Sequence, residues 1–174
     1  IASTISDLDK HFYNDLKDKK NNTELKQLYK KPLTEKGINM PVTQVFEPNF
    51  YHQADLLYMP DDKGYKYILV VVDLHNKKMD AEAIKSKVQG DNEILNAFKN
   101  IYEKNKILKF PKILIMDNGV EFKGVNLQNY LMNNDVYIKY GKAGRHRQLS
   151  VVERTNQKIG TILHKRMASE ELLT

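Results

Sequence analysis

The chain has 174 residues, 41% apolar and 29% charged, enough for one domain with a buried core. No apolar run approaches the roughly 18 residues of a membrane span, residues 1–40 hold no apolar block of the signal-peptide kind, and the absence of cysteine excludes disulfides and thiolate zinc sites within this stretch. The formal net charge of +6 is concentrated in residues 141–168, where Lys142, Arg145, Arg147, Arg154, Lys158, Lys165 and Arg166 stand against Glu153 alone. A basic stripe of this kind is the footprint of a nucleic-acid surface, although a solvated helix face reads the same way.

In chain order, residues 1–31 read as a peripheral helical arm. Ile5, Leu8, Phe12 and Leu16 recur at helical spacing, and Leu25, Leu28 and Tyr29 mark a second short helix that Pro32 ends. Residues 33–50, punctuated by Gly37, Pro41 and Pro48, read as an extended connector. The division expected is an arm and connector over 1–45 and a core over 46–174.

From residue 51 the pattern is strand-like. Tyr51 to Met59 and the continuous β-rich run Tyr67 to Val72 flank an Asp61-Asp62-Lys63-Gly64 turn, and Lys78 to Ile84 reads as a weaker third strand. Asp91 to Lys104 reads as one helix with Ile94, Leu95, Phe98, Ile101 and Tyr102 on its apolar face. Lys112–Met116 and Val136–Tyr140 read as strands around a short helix, Asn126–Asn133. After a loop over 141–144 comes a long helix, Gln148–Met167, with Leu149, Val152, Ile159, Leu163 and Met167 as its stripe. Three strands in a meander, then helix, strand, helix, strand, helix, predict an α/β layer fold with a mixed sheet.

Three acids sit where acids are unusual. Asp55 interrupts a strand, and Asp is seldom buried there unless paired or bound to metal. Asp117 follows the apolar run Ile113–Met116, at the carboxyl end of a buried strand, where ligand sites of α/β sheets gather. An edge position for Asp55 and an Asn-Gly turn for Asp117 are the structural alternatives. Glu153 lies at the margin of the apolar stripe of the last helix, and alone it reads as a surface ion-pair partner. Together the three would make an all-oxygen set, with no Cys and few His, suited to Mg²⁺ or Mn²⁺ rather than Zn²⁺. His52, His75 and His164 are scattered and read as structural or surface residues.

The local motifs add a resemblance. Gln53-Ala54-Asp55, the strand Tyr67–Asp73, Asp117-Asn118-Gly119-Val120-Glu121-Phe122 and Val151-Val152-Glu153-Arg154-Thr155-Asn156, with thirty-five residues between Asp117 and Glu153, resemble the Asp-Asp-Glu signature of retroviral-type integrases over about residues 46–168. Within that family the sequence looks nearest to integrases of Maverick/Polinton-type DNA transposons and related large DNA viruses or virophages. The Leu28-Tyr29-Lys30-Lys31-Pro32 stretch fits that group. The chain departs from the pattern in lacking the usual Pro before Glu153 and in carrying Ser150 where Gly is often found.

The resemblance implies a ribonuclease H-like fold, a five-stranded mixed sheet flanked by helices. It implies that Asp55, Asp117 and Glu153 hold two Mg²⁺ (or Mn²⁺) ions for 3′-end processing and strand transfer, by in-line displacement at phosphorus. It assigns Arg145, Arg147, Arg154 and Lys158 to DNA phosphates, Gln157 to bases or sugar near the scissile bond, and Asn118 either to a metal-bound water or to the turn alone. His146 falls in the same strand-holding loop as the two arginines. The implied partners are double-stranded DNA ends, target DNA and further copies of the chain in a dimer or larger assembly, with no membrane. The setting implied is intracellular, a host nucleus or viral factory. A ribonuclease H-type nuclease and an inactive DNA-binding relative remain alternatives on sequence alone. With five His and no Cys, the family's His-His-Cys-Cys zinc module cannot form in this segment.

Overall fold

A computed structural model describes residues 47–141 and 150–173, together with Lys10. The expected arm over 1–31, most of the connector, and the loop carrying Lys142, Arg145, His146 and Arg147 lie outside the described residues.

Five strands form one sheet: β1 (Tyr51–Asp62), β2 (Tyr65–Asp73), β3 (Met79–Ile84), β4 (Ile113–Met116) and β5 (Tyr137–Tyr140). Their spatial order is β3-β2-β1-β4-β5. The meander β1-β2-β3 is antiparallel, whereas β4 and β5 run parallel to β1, so the sheet is mixed. This is the five-stranded, helix-flanked arrangement of the ribonuclease H-like fold. The β1–β2 hairpin is longer than its turn residues suggest. Strand pairing reaches Asp62↔Tyr65, and the turn closes on Lys63 and Gly64 alone, both at positive φ (54° and 90°).

The two faces of β1 separate the core from the site. His52, Ala54 and Leu56 face α1 (Glu93–Lys99) and α2 (Val125–Asn133), where Leu69, Val71, Leu114 and Met116 meet Ile94, Phe98, Ile101, Leu127 and Leu131. The single helix expected over 91–104 is two pieces, because α1 widens into a π-helical turn at Asn100–Asn105. That change carries amide side chains to the sheet edge. The Asn105 amide donates to Asp80 at 2.9 Å and to Glu82 at 2.8 Å, and the Asn100 amide donates to Glu82 at 3.3 Å.

His52 belongs to this core rather than to the surface. It is fully buried, its Nδ1 lies 3.1 Å from the Tyr102 hydroxyl, and its Nε2 has no partner among the described residues. Burial holds its pKa down at about 4, against a weaker upward pull from Asp73.

The opposite face of β1 receives the start of α3 (Ser150–Leu173). Val152 is fully buried, and Ile159 and Ile162 are nearly so, whereas Met167, expected on the stripe, is 39% exposed. A straight 3.6-residue helix drifts away from any fixed stripe over 24 residues. The segment Val45–Gln157 forms one compact unit, and the residues from Lys158 onward belong to a second. No described helix is long and apolar enough to cross a membrane.

A carboxylate site where β1 runs past the carboxyl end of β4

Strand register explains why Asp55 and Asp117 meet. β1 and β4 run side by side with Tyr51↔Ile113 through Ala54↔Met116, so the next residue of each strand is an aspartate. Adjacent strands lie ~4.8 Å apart, which sets the two carboxylates level on neighbouring strands. By alternation they share the face of Gln53 and Ile115, opposite the α1–α2 core.

The third acid comes from α3, and two side chains of β1 hold that helix in place. Gln53, 3% exposed, accepts a hydrogen bond from the Val152 amide through its Oε1 at 2.9 Å. This satisfies one of the amides that the first turn of a helix leaves without an intrahelical acceptor. One turn on, the Asn156 amide nitrogen donates to Asp55 Oδ2 at 2.9 Å. Glu153 lies between these two contacts and is half-buried.

Asp55 registers its neighbours. Its Oδ1 accepts the Leu56 amide at 2.9 Å, and its carboxyl is nevertheless held up at about 6. Burial is the main cause, and repulsion by Asp117 and Glu153 adds to it, while the hydrogen bonds from Leu56 and Asn156 pull the other way. Asp55 therefore feels both of the other acids. Among the described residues, though, no three acidic or histidine side chains stand close enough to enclose one ion. The set is coupled but not closed. Its donor chemistry fits a hard divalent cation, since every candidate ligand is a carboxylate oxygen and no cation pairs with the three acids among the described residues.

The turn after Asp117 is built by close contacts. Asn118 donates its backbone N–H to Asp117 Oδ1 at 2.7 Å, and its side chain is exposed. Gly119 has an ordinary extended φ, but the Glu121 carboxylate folds back where a Cβ would stand. A side chain at Gly119 would displace that carboxylate without straining the backbone. Arg154, Gln157 and Lys158 are exposed on α3, whereas Arg145 and Arg147 lie outside the described residues.

Sequence reasoning missed the roles of Gln53 and Asn156. Both were visible only as letters within motifs. The available signal was an amide two residues before Asp55 in the same strand and a second amide four residues after buried Val152.

Comparison with known proteins agrees with this geometry. The integrase core domain family matches residues 47–146, more than half of the chain, and the chain belongs to that family of polynucleotidyl transferases. Asp55 and Asp117 fall inside the matched segment and Glu153 just beyond it. An uncharacterised transposon-derived protein of Caenorhabditis elegans is 26% identical over 113 residues, 65% of this chain and 37% of that protein. The chain thus spans little more than a third of that relative's length. Among solved structures, the HTLV-2 integrase catalytic core domain in complex with magnesium (trimeric form) is 22% identical, with a TM-score of 0.50 over 63% of this chain and 66% of that one. The simian T-cell lymphotropic virus intasome in complex with PP2A regulatory subunit B56 gamma is 20% identical, with a TM-score of 0.58 over 75% of this chain and 46% of that one. At these identities the two structures establish a shared fold.

Proposed function

We propose that this chain is the catalytic core of a DNA integrase, in which Asp55, Asp117 and Glu153 hold two Mg²⁺ (or Mn²⁺) ions for 3′-end processing and strand transfer. The observation that carries the reading is the convergence of three carboxylates: burial raises Asp55 to about 6, and repulsion by Asp117 and Glu153 adds to it. A fold does not retain such a cluster for stability, because like charges crowded together cost free energy until a cation neutralises them.

When bound, divalent ions supply charge neutralisation and Lewis acidity for in-line displacement at a phosphodiester. The chain's own residues do the positioning. Gln53 and Asn156 fix Glu153 and Asp55 against each other. The Asn118 amide holds Asp117 in its turn. Arg154 and Lys158 offer exposed cations to phosphates, Gln157 reaches toward bases or sugar, and Arg145 and Arg147 hold the strand from the preceding loop. The partners of this reading are DNA ends, target DNA and further copies of the chain, since the HTLV-2 core domain occurs in dimeric and trimeric forms.

Metal-dependent thermal stability tests the reading without requiring turnover. Mg²⁺ or Mn²⁺ at a hundredfold excess over its dissociation constant stabilises the folded chain by about 2.7 kcal/mol. Wild type should melt several degrees higher with metal, and Asp117→Asn should lose that response. If neither protein responds at millimolar metal, with or without a DNA end, the chain is a DNA-binding relative without catalysis.

A further inference from the structure

β4 ends at Met116, opposite Ala54, but β1 runs on to Asp62. Beyond the aspartates, β1 therefore keeps β2 on one side, and no strand among the described residues pairs with its other edge. Pro60 stands in this stretch, where it discourages pairing with a strand from another protein.

The segment after β3 crosses this end of the sheet. Lys85 Nζ lies 4.8 Å from the Tyr65 ring, and Lys87 Nζ lies 5.0 Å from the Tyr58 ring and 5.8 Å from the Tyr67 ring. Lys87 also donates to the Tyr58 hydroxyl, and Gln89 then donates to the Val120 carbonyl in the turn after Asp117. The Tyr58 and Tyr67 rings meet edge to face at 5.0 Å. Tyr58 is 60% exposed and Tyr65 43% exposed.

Neither ammonium forms an ion pair among the described residues. Three of the nearby acids are engaged elsewhere. Asp61 accepts the Gly64 amide and pairs with Lys66, Asp91 accepts the Ser86 hydroxyl, and Glu93 accepts the Lys85 amide. Glu121 acts on Lys87 only through its charge. These acids keep the patch from being strongly basic. What distinguishes it is two cations fixed over exposed aromatic rings, on the sheet face opposite Asp55 and tied through Gln89 to the turn after Asp117.

We propose that this tyrosine–lysine platform is a second DNA site that seats an unpaired strand, with bases against Tyr58 and Tyr65 and phosphates on Lys85 and Lys87. The inference rests on the DNA-processing reading above and adds to it a place for single-stranded DNA. Base–aromatic stacking tolerates any sequence, which suits a strand whose identity varies. A lysine already held by cation–π contact loses less freedom on meeting a phosphate than a free one. Near-neutral surroundings favour one strand over a duplex, whose two phosphate rows call for a broad basic surface.

The test uses the whole 174-residue chain in EDTA, with a fluorescent oligothymidine and a labelled duplex of the same length, read by anisotropy. Tyr58→Ala/Tyr65→Ala should weaken oligothymidine binding roughly tenfold or more, and Tyr58→Phe/Tyr65→Phe should retain it. Lys85→Gln/Lys87→Gln should reduce the salt slope for the single strand by about 1.4. Duplex affinity should change by less than about twofold in every variant, because the platform takes one strand. Wild-type affinity in the alanine pair, or equal losses for single strand and duplex, overturns the proposal. Should the alanine pair fail to fold, the lysine pair decides alone, and an unchanged salt slope overturns it. Because no metal is present, these results stand whether or not the metal response is found. A normal metal response with unchanged single-strand binding removes the platform only.

Discussion

At the scale of single residues, His52 and Asp55 make opposite demands on pH. His52 in the folded chain binds its proton only near pH 4, against an ordinary value of 6.5. The folded state thus holds fewer protons than the unfolded one across that window. The stability this contributes is complete above about pH 6.5 and is lost as pH falls toward 4. Asp55 is the reverse. With its carboxyl raised from 3.8 to about 6, the folded state holds the extra proton, so this contribution is present below about 3.8 and lost as pH rises through 6. In metal-free wild type the two trends offset each other between pH 4 and 6, and stability should be nearly flat there. Asp55→Asn removes one of them. The variant should be more stable than wild type at pH 7 in EDTA by about 1–2 kcal/mol, a figure discounted for the partial exposure of Asp55. It should then lose stability steeply on acidification. Urea titrations of both proteins at pH 4, 5, 6 and 7 check this, and equal stability at pH 7 would show that the carboxylates do not burden the fold.

Among the elements, α3 carries Glu153 and is held to β1 by Gln53 and Asn156. Gln53→Met keeps the volume but leaves the buried Val152 amide without its acceptor, at a cost of about 1–3 kcal/mol. The metal response should weaken even at temperatures where the variant is fully folded, which a purely global loss of stability would not produce. Asn156→Leu acts differently. The donation it removes holds the Asp55 carboxyl down, so the pH midpoint of the Mg²⁺-dependent thermal shift should move upward. A midpoint that stays in place would assign Asn156 to packing alone. The sequence made the strands, their order along the chain and the three acids legible, because buried β-rich runs and misplaced carboxylates are local signals. It could not expose the contacts Gln53–Val152 and Asp55–Asn156, which join residues 99 and 101 positions apart. The π-turn at Asn100–Asn105 was hidden for another reason. Ile101 and Tyr102 continue the apolar spacing of α1, and only the asparagines that reach Asp80 and Glu82 reveal the widened turn.

Over the whole molecule the same three acids oppose the ligand they are proposed to process. DNA is a polyanion, and carboxylates left uncompensated repel it until cations arrive. The excess charge of residues 141–168 works against that repulsion, with seven cations to one acid. Two consequences separate the terms. Arg154→Gln/Lys158→Gln should reduce the salt slope of duplex binding by about 1.8, for two lost phosphate contacts, with affinity falling alike for every sequence. Asp117→Asn should instead bind duplex slightly more tightly than wild type in EDTA. Removing one charge about 10 Å from a phosphate in water is worth roughly 0.4 kcal/mol, or about twofold. That gain should shrink as added salt shortens the screening length below ~10 Å. It should vanish with Ca²⁺, which neutralises the wild-type site and leaves nothing for the mutation to relieve. If Asp117→Asn binds duplex no better than wild type in EDTA at low salt, the DNA does not pass over the carboxylates, and the basic stripe serves a surface elsewhere on the chain.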